Sequence, residues 1–232
     1  MITKVSYVLR EEMLNYLKEK NFPAVVDIGG AMFPWAKEFV THYMDLFDPK
    51  WYHQDLTIRN DRHIQNSLTF IGDICRQEFW EDVLCYTNKF GKFDYAICCH
   101  TLEDIRNPEL TLKYLPHIAK EGFIAVPNKF VEMSKTVESY GEKEGWGFTG
   151  AYRGYCHHRW IFTIIDNKFI AIPKLNFIEN LNGVDQPDPP GAGDLSFFWK
   201  DSIPFEFMNS DFLGPNPPTV FDMYRKYLNE GL

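Results

Sequence analysis

The sequence predicts an α/β fold: a mostly parallel sheet with helices on both faces, followed by a β-rich C-terminal extension. Three observations carry this. Short apolar runs at Ala24–Ile28, Leu68–Ile71 and Phe93–Cys99 alternate with helical patterns. These runs are nearly unbroken in their apolar character, as strands buried on both faces are. The alternation holds to about Phe130 and then changes.

From Leu9 to Lys20, Leu9, Met13, Leu14 and Leu17 fall at helical spacing opposite a charged face. Asn21-Phe22-Pro23 ends that helix. The first strand, Ala24–Ile28, breaks at Gly29-Gly30, and Pro34 suits the first turn of a helix reaching about Val40. Thr41 to Phe47 reads as a second strand, and polar, mixed Trp51–Ser67 as a loop region with one short helix. Leu68–Ile71 is the third strand, ending at Gly72-Asp73, and Glu78–Asn88 is helical. Phe93–Cys99 is the fourth strand. Asn107 caps a helix over Pro108–Ile118, and Phe123–Val126 is a fifth strand stopped by Pro127.

Beyond Phe130 the residues from Ser134 to Arg153, rich in Gly, Glu and aromatics, predict an excursion over one end of the sheet. Trp160–Ile165 and Phe169–Ile172 flank Asp166-Asn167 as a hairpin. The stretch 185–193, DQPDPPGAG, is a connection, after which Leu195–Trp199 reads as a strand and Thr219–Asn229 as a final helix. We read residues 1–175 as one domain, with the excursion near 130–155, and 176–232 as an extension packed on it.

Composition narrows the function. A chain of 232 residues suits one elaborated α/β domain rather than two large ones. With a net charge of −8 and no basic stripe, nucleic acid is not expected as a partner, and an acidic surface repels anionic membranes. No apolar run approaches the roughly 20 residues of a membrane span. The first twenty residues carry charges throughout, unlike a secretory signal. Five cysteines, an odd number with no CxxC pair, fit a reducing, cytoplasmic setting; adjacent Cys98 and Cys99 read as small buried hydrophobes.

In a doubly wound sheet, ligands lie outside the carboxyl ends of the strands. The residues there are Asp27 to Ala31, Asp45 to Asp48, Gly72-Asp73, His100 to Asp104 and Pro127-Asn128. Gly29 and Gly30 allow a sharp turn and a close approach to a ligand. A carboxylate at the end of the second strand can bond a ribose diol, and Asp45 and Asp48 both lie near the spacing this needs. Asp73 is placed to take the amino group of an adenine, and a row of acids suits a cationic cofactor. Glu103 and Asp104 are expected to serve the positive end of the helix that follows. A metal site made from His100, Glu103, His157 and His158 is conceivable, but no two of them have ligand spacing on one helix face and no HExxH-type motif exists, so no metal is expected.

VVDIGGAMFPW, YMDLFD, FIGDI and FDYAICCHTLEDIRNPELTLKYLPHIAKEGFIAVPNK together resemble a small-molecule, class I methyltransferase dependent on S-adenosylmethionine, over about residues 23–130. The resemblance implies a Rossmann-like sheet. It implies that Asp27, Gly29 and Gly30 line the methionine end of the cofactor, that Asp45 holds the ribose, and that Asp73 and Ile74 flank the adenine. His100 would sit beside the reacting methyl group. The chain departs from the usual G-x-G pattern, because bulky Met32 and Phe33 follow Gly29-Gly30-Ala31. A catalytically inactive, methyltransferase-like binding module is therefore the alternative. An NAD-dependent enzyme is disfavoured, since no GxGxxG follows the first strand.

The other conspicuous cluster is Tyr155-Cys156-His157-His158-Arg159-Trp160. A histidine can take a proton near neutral pH, and an arginine can grip a carboxylate or phosphate with two bonds. His158 and Arg159 are thus candidates, with His100, for catalysis on a small anionic or hydroxylated acceptor. The excursion and the C-terminal part are expected to form the acceptor side.

Overall fold

The computed structural model describes residues 10–52, 55–134, 152–184, 194–208 and 217–230. The chain forms two compact units, residues 1–125 with 196–203, and residues 126–195 with 204–232.

The first unit opens with α1 (Arg10–Lys20), which buries Met13 and Leu17. Strands β1 (Val25–Ile28), β2 (His42–Asp45), β3 (Leu68–Ile71), β4 (Phe93–Cys99) and β5 (Ala119–Pro127) follow, and a late strand, β8 (Asp194–Lys200), joins them. The six lie in the order β3-β2-β1-β4-β5-β8. The pairs β3/β2, β2/β1, β1/β4 and β4/β5 are all parallel. Asp201, just past β8, donates its N–H to the Lys120 carbonyl near the start of β5. The apolar runs read as buried strands do lie inside, β1 and β4 almost completely; β3, at the edge, leaves Leu68 and Ile71 exposed.

On one face α1 packs with Tyr43, Tyr95, Ile97 and Phe123 in a common core. On the other, α5 (Gln77–Phe90) brings Tyr86 against His42, Phe70 and Phe93 of strands β2, β3 and β4. Trp80 of α5, fully buried, stacks on Tyr114 of α6 (Pro108–Ile118). Asn107 caps α6 by accepting from the Leu110 N–H, as its position before Pro108 predicts.

Two local expectations are corrected. Pro34 starts no α-helix: residues 34–40 form successive turns, such as Phe39 N–H to Ala36 carbonyl. The eight residues from Pro34 to Thr41 would make little more than two turns, and an isolated helix of that length is marginal. The stretch 51–67 holds three short helices rather than one, α2 (Pro49–Tyr52), α3 (Leu56–Arg59) and α4 (Arg62–Asn66). Each spans about one turn, too short to show a periodic pattern.

The second unit holds α7 (Lys129–Met133), β6 (Trp160–Ile165), β7 (Lys168–Pro173), a 3-10 turn (Asn176–Asn180), β9 (Phe205–Phe207) and α8 (Pro217–Asn229). Strands β6 and β7 form the expected antiparallel hairpin, with Asp166 and Asn167 both at positive φ; β9 pairs parallel with β7. Its core gathers Ile161, Ile170, Ile172, Tyr224 and Leu228, and the Tyr224 hydroxyl donates to the Pro173 carbonyl at 2.7 Å. Most of the predicted excursion (135–151) and the whole 185–193 connection lie outside the described residues. No described helix is long and apolar enough to cross a membrane.

Candidate functional site

The carboxyl edge of the first unit's sheet collects the loops after β1, β2, β3 and β4. Gly29 turns the chain at a left-handed φ of 76° and donates its N–H to the Met44 carbonyl at 2.8 Å. A β-carbon there would overlap Thr101, whose hydroxyl shares its proton between the Ile28 and Cys99 carbonyls at 3.1 Å each. Gly30 lies directly against Asp27, and a β-carbon at that position would overlap the carboxylate. Both glycines are therefore required by the close approach of these side chains.

Asp27 is the most unusual residue of this edge. It is 1% exposed, and neither carboxylate oxygen has a hydrogen-bond partner among the described residues. Burial, reinforced by the nearby Asp45 carboxylate, pushes its carboxyl up to about 8. A buried carboxylate without donors is costly as an anion unless a cation reaches it. Asp45, at the end of β2, accepts from the Ala31 N–H at 3.1 Å and more weakly from Phe47. Its carboxyl is raised by partial burial, and those loop N–H groups counter the rise. Asp48 instead serves α2, accepting from the Lys50 N–H at 2.9 Å.

After β3, Asp73 accepts from the Cys75 N–H at 2.9 Å and pairs with Arg106 at 2.5 Å. Partial burial raises its carboxyl, but these donors outweigh that and hold it below the usual carboxylate range. Ile74 is buried, and its carbonyl takes the Trp80 indole N–H at 2.7 Å. Arg106 and Trp80 are thus supports of this loop that no sequence signal announced. Met32 and Phe33, the bulky residues after the glycines, are 49% and 76% exposed rather than packed into the bend.

After β4, His100 adopts a left-handed φ of 50°, which only a constrained position imposes on a non-glycine residue. Its N–H donates to the Ala125 carbonyl, and its Nδ1 lies 3.2 Å from the Oε1 of Glu103. Glu103 is 1% exposed and sits five residues before α6, so it does not serve that helix's first turn as expected. Burial pushes the Cys98 thiol up, and the charges of Asp27 and Glu103 add to the effect. Cys98 thus feels both acids.

In the second unit, His158 is buried and its Nδ1 lies 2.6 Å from the Oε1 of Glu132, while Lys174 reaches the other oxygen at 2.6 Å. Buried Arg153 donates to the Ile178 and Met133 carbonyls. Arg159 is exposed. His158 is therefore part of a buried ionic cluster, which adjacency in the sequence could not reveal.

The residues of the first unit fit an adenosyl sulfonium: an orphaned buried carboxylate, a bend that no β-carbon can enter, and an acid at the end of β2. No model of a known protein family and no curated protein matches the chain. Among solved structures it is similar to a cyclopropane-fatty-acyl-phospholipid synthase-like protein from Lactobacillus casei, at 13% identity and a TM-score of 0.35. That match covers 51% of this chain and 48% of the other, so it spans about half the length of that protein. The methyltransferase domain of bacterial CtHen1 matches at 13% identity over 53% of this chain and 66% of its own, with a TM-score of 0.34. The N-terminal domain of EvdMO1, crystallised with SAH and D-fucose, matches at 10% over 82% and 66%, with a TM-score of 0.38. Likenesses this slight carry no argument about activity. The parallel order β3-β2-β1-β4-β5, with a glycine bend after the first strand, is that of a Rossmann-like sheet.

Proposed function

We propose that the chain binds S-adenosylmethionine at the carboxyl edge of its parallel sheet and transfers the methyl group to an oxygen or nitrogen of a small-molecule acceptor. The observation that carries this reading is Asp27, buried beneath the glycine bend with no donor for either oxygen among the described residues. When bound, the cofactor supplies an electrophilic methyl on a sulfonium centre, and its cationic methionine end is the kind of partner a desolvated carboxylate requires. Gly29 and Gly30 let the backbone approach it, Asp45 is assigned to the ribose, and the Asp73–Ile74 loop to the adenine. His158 is tied to Glu132 and Arg159 lies exposed in the second unit, so we assign the acceptor's proton to His100.

The test is calorimetry of the purified chain with S-adenosylmethionine, S-adenosylhomocysteine and NAD in parallel. Binding of the first two and not the third is expected, with Asp27→Asn and Asp45→Ala each weakening it at least tenfold. No heat with either adenosyl ligand removes the reading and leaves only the fold.

A further inference from the structure

The His100–Glu103 pair is not explained by cofactor binding or by the fold. Glu103 is 1% exposed, yet it caps no helix, and no described donor makes an aligned hydrogen bond to it. A buried carboxyl must either hold its proton or find a partner that stabilises its charge. The group nearest to doing so is the His100 ring, whose Nδ1 stands 3.2 Å from Oε1 while its side chain is 37% exposed. His100 itself is held at a left-handed φ, with its backbone N–H fixed to Ala125 of the neighbouring strand. A constrained backbone, a half-exposed imidazole and a buried acid behind it are the parts of an oriented base.

We propose that Glu103 is a positioning residue for His100: it holds the neutral ring with its proton on Nδ1 and balances the charge the ring gains when it takes a proton from a hydroxylated acceptor. This rests on the methyl-transfer reading above. As the acceptor oxygen bonds to the methyl carbon, the methyl–sulfur bond breaks with its electron pair left on sulfur, and the acceptor's proton passes to the imidazole. The imidazolium and the Glu103 carboxylate then form a neutral pair. The 3.2 Å separation is within hydrogen-bond reach, and a turn of the half-exposed ring is what would align its N–H on Oε1. The acceptor class is accordingly one with an O–H to lose, rather than a free amine.

The ring's tautomer tests this directly and needs no acceptor. The protein is labelled with ¹⁵N-histidine, and the His100 signals are assigned by their loss in His100→Asn, a residue that tolerates positive φ. In alkaline buffer, with the rings neutral, the Nδ1–H tautomer is expected for His100 in the wild-type chain. Glu103→Gln, which keeps an acceptor oxygen, retains it; Glu103→Leu shifts the ring to predominantly Nε2–H. An Nε2–H ring in the wild-type chain overturns the proposal, and so does a tautomer unchanged in Glu103→Leu. The wild-type spectrum alone decides if Glu103→Leu does not fold. Calorimetry with S-adenosylhomocysteine on the same samples separates the two readings. A chain that shows the tautomer pattern but binds no adenosyl ligand keeps the pair and loses the methyltransferase.

Discussion

Replacing Asp27 by Asn tests the physical core of the site, because it removes a charge while keeping the shape. In the unfolded chain this carboxyl ionises near 3.8; in the folded chain burial raises that to about 8. Below the lower value both states hold the proton, and the group makes stability no different. As pH rises through the window the unfolded chain ionises and the folded chain does not, so each pH unit removes ~1.4 kcal/mol of stability. From 3.8 to neutrality the interval is about 3 units, which sets a ceiling of ~4 kcal/mol. Asn titrates nowhere in this range. Its own buried amide carries a penalty, but one that does not change with pH. The signature is therefore a slope: the stability of Asp27→Asn relative to wild type rises by a few kcal/mol between about pH 4 and about pH 7. Urea unfolding followed by tryptophan fluorescence at a series of pH values measures it. Wild type and variant titrating in parallel would refute the claim that Asp27 is desolvated and without donors. Adding S-adenosylhomocysteine should stabilise the wild type and leave Asp27→Asn nearly unmoved, the usual opposition between a strained site and a stable fold.

Gly30→Ala places a methyl group on the Asp27 carboxylate. It should destabilise the fold by roughly 1–3 kcal/mol and abolish adenosyl binding, as read by thermal shift with and without ligand. Trp80→Leu removes the indole bond to the Ile74 carbonyl and the stack on Tyr114. A loss of about 3 kcal/mol in urea is expected, with hydrogen exchange rising first in the loop after β3. In the second unit, Glu132→Ala leaves buried His158 and Lys174 without their shared carboxylate. That should destabilise by about 3–5 kcal/mol in chemical unfolding, whereas Lys168→Ala, which breaks the exposed pair with Glu206, should be nearly neutral.

Where local chemistry is self-contained, sequence and structure agree residue for residue. Leu68–Ile71, Phe93–Cys99 and Pro108–Ile118 are bounded by a glycine, a turn or an Asn–Pro cap, and those punctuation marks coincide with the observed ends. Agreement fails where the deciding partner is distant. Leu195–Trp199 reads as a strand, but nothing in it says that it lies beside β5 in the main sheet. Glu103 reads as a helix-end acid, because its burial is set by residues far from it in the chain.

The glycine bend shows the same division inside the site itself. The order Asp27, Gly29, Gly30, Asp45, Asp73 was legible because each lies at or just past the end of a strand, and parallel strands deliver their ends to one edge. What the sequence does not display is how the few loop N–H groups are shared among these acids. A helix after Gly30 would have aimed several N–H groups at the edge. The chain turns instead, and the Ala31 N–H goes to Asp45. The loop N–H groups counter the rise that burial gives Asp45, while Asp27 is left without a donor among the described residues. Sharing the loop N–H groups in this way leaves Asp27, more than Asp45, as the acid whose charge must wait for a cation.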